Sequence, residues 1–156
     1  MLDAKIDIVG MGDLPLIVRL YNDIFHPARE EEFFRRRFAG RYNHLMMIAS
    51  VENDPVGFFL GFELKPTVYF TWLYGVDGDL RRKGIGSQLM EAAHAWTRDH
   101  GYDAMRLECN NNHRAMLHLS LAHHYDIVGI RWDTDRAANL VILEAPLHDT
   151  TTHDHS

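Results

Sequence analysis

The sequence predicts a mixed α/β domain in which strands and helices alternate along the chain, and three observations carry that expectation. Almost continuously apolar runs rich in β-branched and aromatic residues, such as His44 to Glu52 and Val68 to Val76, are too short for helices and read as strands. Between them lie stretches whose apolar residues recur three and four apart, such as Leu16, Ile17, Leu20 and Ile24, which read as helices. A glycine-rich turn, Val76 to Ser87, joins one of these strands to one of these helices. The resulting order is β-α-α-β-β-β-α-β-α-β-β.

Each element has its own signal. Lys5 to Val9 alternates as a first strand. Gly12-Asp13 opens the first helix, with Asp13 as its cap and Pro15 early, where a missing N–H is harmless; His26-Pro27 breaks it. The second helix, Arg29 to Ala39, pairs Glu31 with Arg35 and Glu32 with Arg36 on a solvated face, and sets Phe34 and Phe38 on one side. Asn53-Asp54-Pro55 turns the chain from the second strand into a third that runs to about Leu64, a hairpin. Lys65-Pro66-Thr67 turns again into the fourth strand. The third helix carries Ile85, Leu89, Ala92, Ala93 and Trp96 and stops at His100-Gly101. Met105 to Cys109 is the fifth strand, Asn110-Asn111-Asn112 a capping cluster, and Met116 to about His123 the fourth helix. Ile127 to Trp132 and Leu140 to Ala145 form a terminal hairpin.

Composition narrows the function classes. At 156 residues the chain is one domain, residues 1–147, followed by a polar tail, 148–156, expected to be disordered. The apolar fraction of 46% is that of a globular protein, and no run approaches membrane-spanning length. A net charge of −6 argues against nucleic acid as a partner. The single cysteine, Cys109, and the lack of a basic-then-apolar leader point to the cytoplasm. Eleven histidines invite a metal, but His123-His124 diverge on a helix and His153 and His155 lie in the tail, so no metal site is expected.

The turn is where the chemistry concentrates. A helix N-terminus offers unpaired N–H groups and the positive end of the peptide dipoles. Gly84 and Gly86 clear side chains from that backbone, and Arg81, Arg82 and Lys83 add positive charge beside it. The stretch reads as a cradle for a diphosphate. It is not a Walker loop, which needs Gly-Lys-Ser/Thr after its spacer, nor a dinucleotide fingerprint, which needs three glycines in G-x-G-x-x-G.

The order strand, Val-x-x-x-x-Arg-x-x-Gly-x-Gly, amphipathic helix resembles the pyrophosphate motif of the GNAT superfamily of N-acetyltransferases, Gln/Arg-x-x-Gly-x-Gly/Ala, with Arg81, Gly84 and Gly86 in its fixed positions. Asn112-His113-Arg114-Ala115 is similar to that family's Asn-x-x-Ala, and His124-Tyr125-Asp126-Ile127-Val128-Gly129 to its Gly-Phe-x-x-x-Gly, with histidine replacing glycine. The resemblance runs from Lys5 to Leu147. It implies a mostly antiparallel sheet with splayed central strands, flanked by about four helices. It also implies acetyl-CoA as co-substrate, held by backbone near Tyr74 and Val76, by Arg81, by the backbone of Arg82, Lys83, Gly84, Ile85, Gly86 and Ser87, and by Asn112.

In such a family the acceptor amine, on a small molecule or a peptide, attacks the thioester directly, so Cys109 is an ordinary strand residue. An alkyl amine of pKa about 10 must first lose a proton. The fourth strand has no carboxylate, which leaves Glu63 on its neighbour and Glu108 on the fifth strand as candidate bases. The tyrosine that many members use to protonate the leaving thiolate falls here on Leu119 or Ser120, depending on the direction of counting; Ser120 is carried as the candidate, with His118 as a substitute. A sensor that binds acyl-CoA without efficient turnover, or a donor other than acetyl-CoA, fits the same residues. A homodimer through the terminal hairpin is possible.

Overall fold

The computed structural model describes residues 2–148; most of the tail predicted to be disordered, and with it His153 and His155, lies outside the described residues. The elements are β1 (Lys5–Val9), α1 (Leu14–Ile24), α2 (Glu31–Phe38), β2 (Leu45–Val51), β3 (Asp54–Lys65), β4 (Val68–Val76), α3 (Ile85–Asp99), β5 (Ala104–Asn110), α4 (Arg114–Ala122), β6 (Asp126–Asp133) and β7 (Ala138–Pro146), with single 3-10 turns at Met11–Asp13 and Gly78–Leu80. This is the predicted order. The strands form one seven-stranded sheet, β1-β2-β3-β4-β5-β7-β6, antiparallel throughout except for the β4–β5 pair.

Several local expectations shift by a residue or two, each for a visible reason. The β2–β3 hairpin turns on Glu52 and Asn53, both with positive φ, and Val51 pairs with Asp54. A two-residue loop of this hand matches the twist of the flanking strands, so Asp54 and Pro55 already belong to β3. Asp13 holds the cap position of α1, but its side chain makes no capping bond. At α4 the cap is His113, whose Nδ1 accepts from the Met116 N–H at 3.2 Å; in the asparagine cluster, Asn110 instead accepts from the Asn112 N–H at 2.8 Å. Gly101, at φ +88°, ends α3 as predicted.

Each face of the sheet has its own core. On one face α3 lays Ile85, Leu89, Met90 and Ala93 against Met105, Leu107, Cys109 and Tyr125. On the other, α1 and α2 press Leu14, Ile17, Tyr21, Phe34 and Phe38 onto Ile48, Phe58, Leu60 and Phe62. Both predicted α2 pairs form, Arg35 to Glu31 at 2.8 Å and Arg36 to Glu32 at 3.7 Å. Among the described residues, no helix is long and apolar enough to cross a membrane.

The sheet's central feature is a split. β4 and β5 pair in parallel at four positions, from Val68 with Ala104 to Thr71 with Leu107, and then part. β4 continues to Val76 along β3, and β5 continues to Asn110 along β7. At the same level the β3–β4 register slips: Leu60 faces Leu73 while Gly61 faces Thr71, leaving Trp72 as an extra residue. A bulge bends its strand and raises its twist, so this one turns β4 away from β5 where their pairing ends. The splayed central strands expected from the family resemblance are present.

Candidate active site

The split leads into a cleft of about 580 Å³. Tyr74, Gly75 and Val76 of β4 line one wall, and His113, Ala115, Met116, His118 and Leu119, at and within the start of α4, line the other. Its mouth is the glycine turn, contributing Leu80, Arg81, Arg82, Gly84, Gly86 and Ser87. Sequence reasoning had placed neither Phe25, at the end of α1, nor His113 in this wall. Gly75 makes room for Phe25: a Cβ on it would come within 2.7 Å of the Phe25 ring.

The turn is shaped by backbone. Arg82 has φ +64° and Gly84 φ +88°, both left-handed, so the chain doubles on itself before α3 begins at Ile85. Gly84 caps α3 with no side chain to satisfy the first amides. Among the described residues, no N–H from Arg82 through Ser87 donates a hydrogen bond. The carbonyls behind them are engaged: Lys83 accepts from the Leu2 N–H at 2.9 Å, and Gly84 from the Gln88 N–H and Nε2, both at 3.1 Å. Gln88 in turn ties down the N-terminal segment, accepting from the Ala4 N–H at 2.9 Å and donating to the Leu2 carbonyl at 2.6 Å. Carbonyls held from behind and amides left free in front make an anion-binding concavity.

Two side chains brace it. The Tyr74 hydroxyl donates to the Gly86 carbonyl, and burial raises its pKa, so it stays a neutral donor. A Cβ at Gly86 would approach that hydroxyl to 3.1 Å, so this glycine admits the brace as well as any ligand. Ser87 Oγ meets His123 Nε2 at 3.1 Å, linking the turn to the end of α4.

The remaining predicted residues are distributed unevenly. Asn112 is exposed in the loop before His113 and is not among the cleft-lining residues. Glu63 sits beside Tyr69, at the far end of β4 from Val76, where its Oε1 accepts from Tyr102 Oη at 2.8 Å and Asn43 Nδ2 at 3.2 Å. Burial, reinforced by the bond to Glu63, pushes the Tyr102 hydroxyl up to about 12. Ser120 is fully buried, away from the cleft wall that its neighbour Leu119 lines. Glu108 follows Leu107, the last β5 residue paired with β4, and its Oε1 accepts from Arg131 Nη2 at 2.8 Å and Nε at 3.0 Å. Cys109 is buried, and burial raises its thiol pKa, the opposite of an activated nucleophile.

Parted parallel strands with a turn of free amides at their mouth define the class: an α/β protein with a cleft opening in a split sheet. The family follows from the sequence. The profile described as "Acetyltransferase (GNAT) family" matches residues 14–124, more than two-thirds of the chain, and the chain belongs to that family.

Solved structures agree on the fold. The ribosomal-protein-S18-alanine N-acetyltransferase from Escherichia coli superimposes with a TM-score of 0.81 at 18% identity, over 99% of this chain and 100% of the other. A GNAT family acetyltransferase from Elizabethkingia anophelis, solved with acetyl-CoA bound, gives 0.76 at 15% identity over 92% and 97%. A Bacillus subtilis acetyltransferase in complex with CoA gives 0.76 at 16% over 92% and 99%. No curated protein sequence matches the chain.

Proposed function

We propose that the protein is an acetyl-CoA-dependent N-acetyltransferase that passes the acetyl group directly to a primary amine. The observation that carries this reading is the run of free amides from Arg82 to Ser87 at the mouth of the split. Those amides, with Arg81, would hold the diphosphate of the co-substrate, and the backbone of Tyr74 and Val76 would hold the arm that reaches inward. Bound there, acetyl-CoA supplies an activated acyl group.

The chain's own groups then have defined tasks. Backbone of β4 beyond Thr71 has no β5 partner, so its free N–H groups are available to a carbonyl oxygen that gains negative charge. Glu108, at the point where β5 leaves β4, would take the amine's proton directly or through a water. His118 would return a proton to the departing sulfur, a task for which Leu119 has no group. A buried free thiol at Cys109 agrees with a cytoplasmic setting. β6 carries exposed Ile127, Val128, Ile130 and Trp132 on the sheet's free edge, which is where the homodimer suggested by the sequence would form.

Titration with acetyl-CoA by calorimetry, followed by thiol release with a panel of amines, tests the reading. Saturable binding with turnover on at least one amine is expected; no uptake of acetyl-CoA would end it. One observation favours a sensor instead: the described residues lining the cleft include no carboxylate. Tight binding without turnover on any amine would select that alternative.

A further inference from the structure

The α1/α2 side of the split carries charges with no partner. Arg29, Arg37 and Arg41 make no ion pair among the described residues. All three guanidinium groups lie over aromatic rings: Arg29 at 4.5 Å from the Phe33 centroid, Arg37 at 5.6 Å from Trp72 and 5.8 Å from Phe62, and Arg41 at 4.8 Å from Phe62. The rings adjoin one another, Phe33 to Trp72 at 5.8 Å and Phe62 to Trp72 at 6.3 Å. Three cations are therefore backed by one aromatic surface.

Its position matters more than its composition. Trp72 and Glu108 are the first residues of β4 and β5 beyond their last pair, so Trp72 brings one edge of this surface to the split. Glu108 pairs with Arg131 at 2.8 Å and makes no ion pair with the other three among the described residues. Arg37 stands in the field of Arg41 and Arg131 as well as Glu108, and burial with that repulsion lowers its pKa. The Arg29 Nε is buried with no acceptor among the described residues. A guanidinium lying over a ring keeps its N–H edge for a planar carboxylate, which it can grip through two bonds. A local excess of positive charge on a chain of net charge −6 makes this surface one that attracts anions.

We propose that this aromatic-backed arginine wall selects the acceptor: a small primary amine that also carries a carboxylate, held by Arg37 and Arg41 while its amine enters the split. The proposal rests on the transferase reading and names the substrate class of that site.

The test uses amines that differ at one end. 4-Aminobutyrate is compared with 4-aminobutanamide and 1,4-diaminobutane, and β-alanine with β-alaninamide, each with acetyl-CoA and the full chain. The carboxylate-bearing members should show kcat/KM at least about tenfold higher, the scale of one charged hydrogen-bonded pair. Arg37→Gln with Arg41→Gln should remove that preference mainly through KM, and Arg37→Lys should lose part of it. Arg36→Ala, on the solvent side of the same helix, should change nothing. Equal or reversed preference, with turnover intact, overturns the proposal and leaves the transferase reading standing. If no amine is acetylated, calorimetry on the CoA-loaded protein separates the two. Carboxylate binding that needs Arg37 and Arg41 would then support the wall against a failed transferase reading, and no such binding would sink both.

Discussion

The two faces of the sheet are packed with different materials, and the contrast shows how the molecule divides its work. The α3/α4 face mixes aliphatic and sulfur-bearing residues with Phe59 and buried tyrosines, and what it offers a ligand is main chain: free amides at Arg82 to Ser87 and an unpaired edge on β4. The α1/α2 face is aromatic, and what it offers is side chains: guanidinium groups on Phe33, Trp72 and Phe62. Backbone recognition depends on chain path and tolerates changes of side chain that leave the path intact. Side-chain recognition is the reverse, so the first face suits a ligand common to a family and the second one peculiar to a member.

That contrast can be broken from either side. Phe34→Ala on the α1/α2 face removes a fully buried ring and should cost about 3–5 kcal/mol of stability, measured by denaturant unfolding. Gly84→Val should fold, yet weaken acetyl-CoA binding about a hundredfold by calorimetry. A β-branched residue resists φ +88°, and its side chain would crowd the free amides. Gly78→Ala, where an added Cβ meets nothing within 4 Å, should bind normally; an equal loss there would remove the special status of the turn.

A smaller effect comes from His94 on α3, whose Nε2 meets Tyr125 Oη at 2.9 Å. Burial, reinforced by His123, Arg98 and His124, holds its pKa down to about 4 from an ordinary 6.5. The unfolded chain therefore takes up the proton first. The stability from neutral His94 is complete above about pH 6.5 and declines as pH falls toward about 4. His94→Gln should flatten that decline in unfolding curves recorded at pH 7 and pH 5. Least affected of all should be Arg36→Ala, within about 0.5 kcal/mol, since its pair with Glu32 is exposed.

Short-range signals in the chain were enough for the element order, the α2 ion pairs, the glycine stop of α3 and the glycine turn before it. Each depends on residues within a few positions of one another: periodicity, i,i+4 spacing, or glycines where φ must be positive. They were less reliable at boundaries, where His113 rather than an asparagine caps α4 and Asp54 already belongs to β3. The candidate proton-transfer groups were the hardest to place. Glu63, Glu108 and Ser120 look alike in sequence, each a polar residue on a suitable element, yet only Glu108 borders the split.

What local patterning decided, then, was where the chain turns, what it turns into, and that one turn would present bare amides. Tertiary packing decided the rest. The bulge at Trp72 that parts β4 from β5, the seating of β7 between β5 and β6, and the placing of Arg37 and Arg41 on Phe62 and Trp72 join residues far apart in the chain. Such contacts depend on how whole elements stack and twist against each other, and no window of neighbouring residues contains that information.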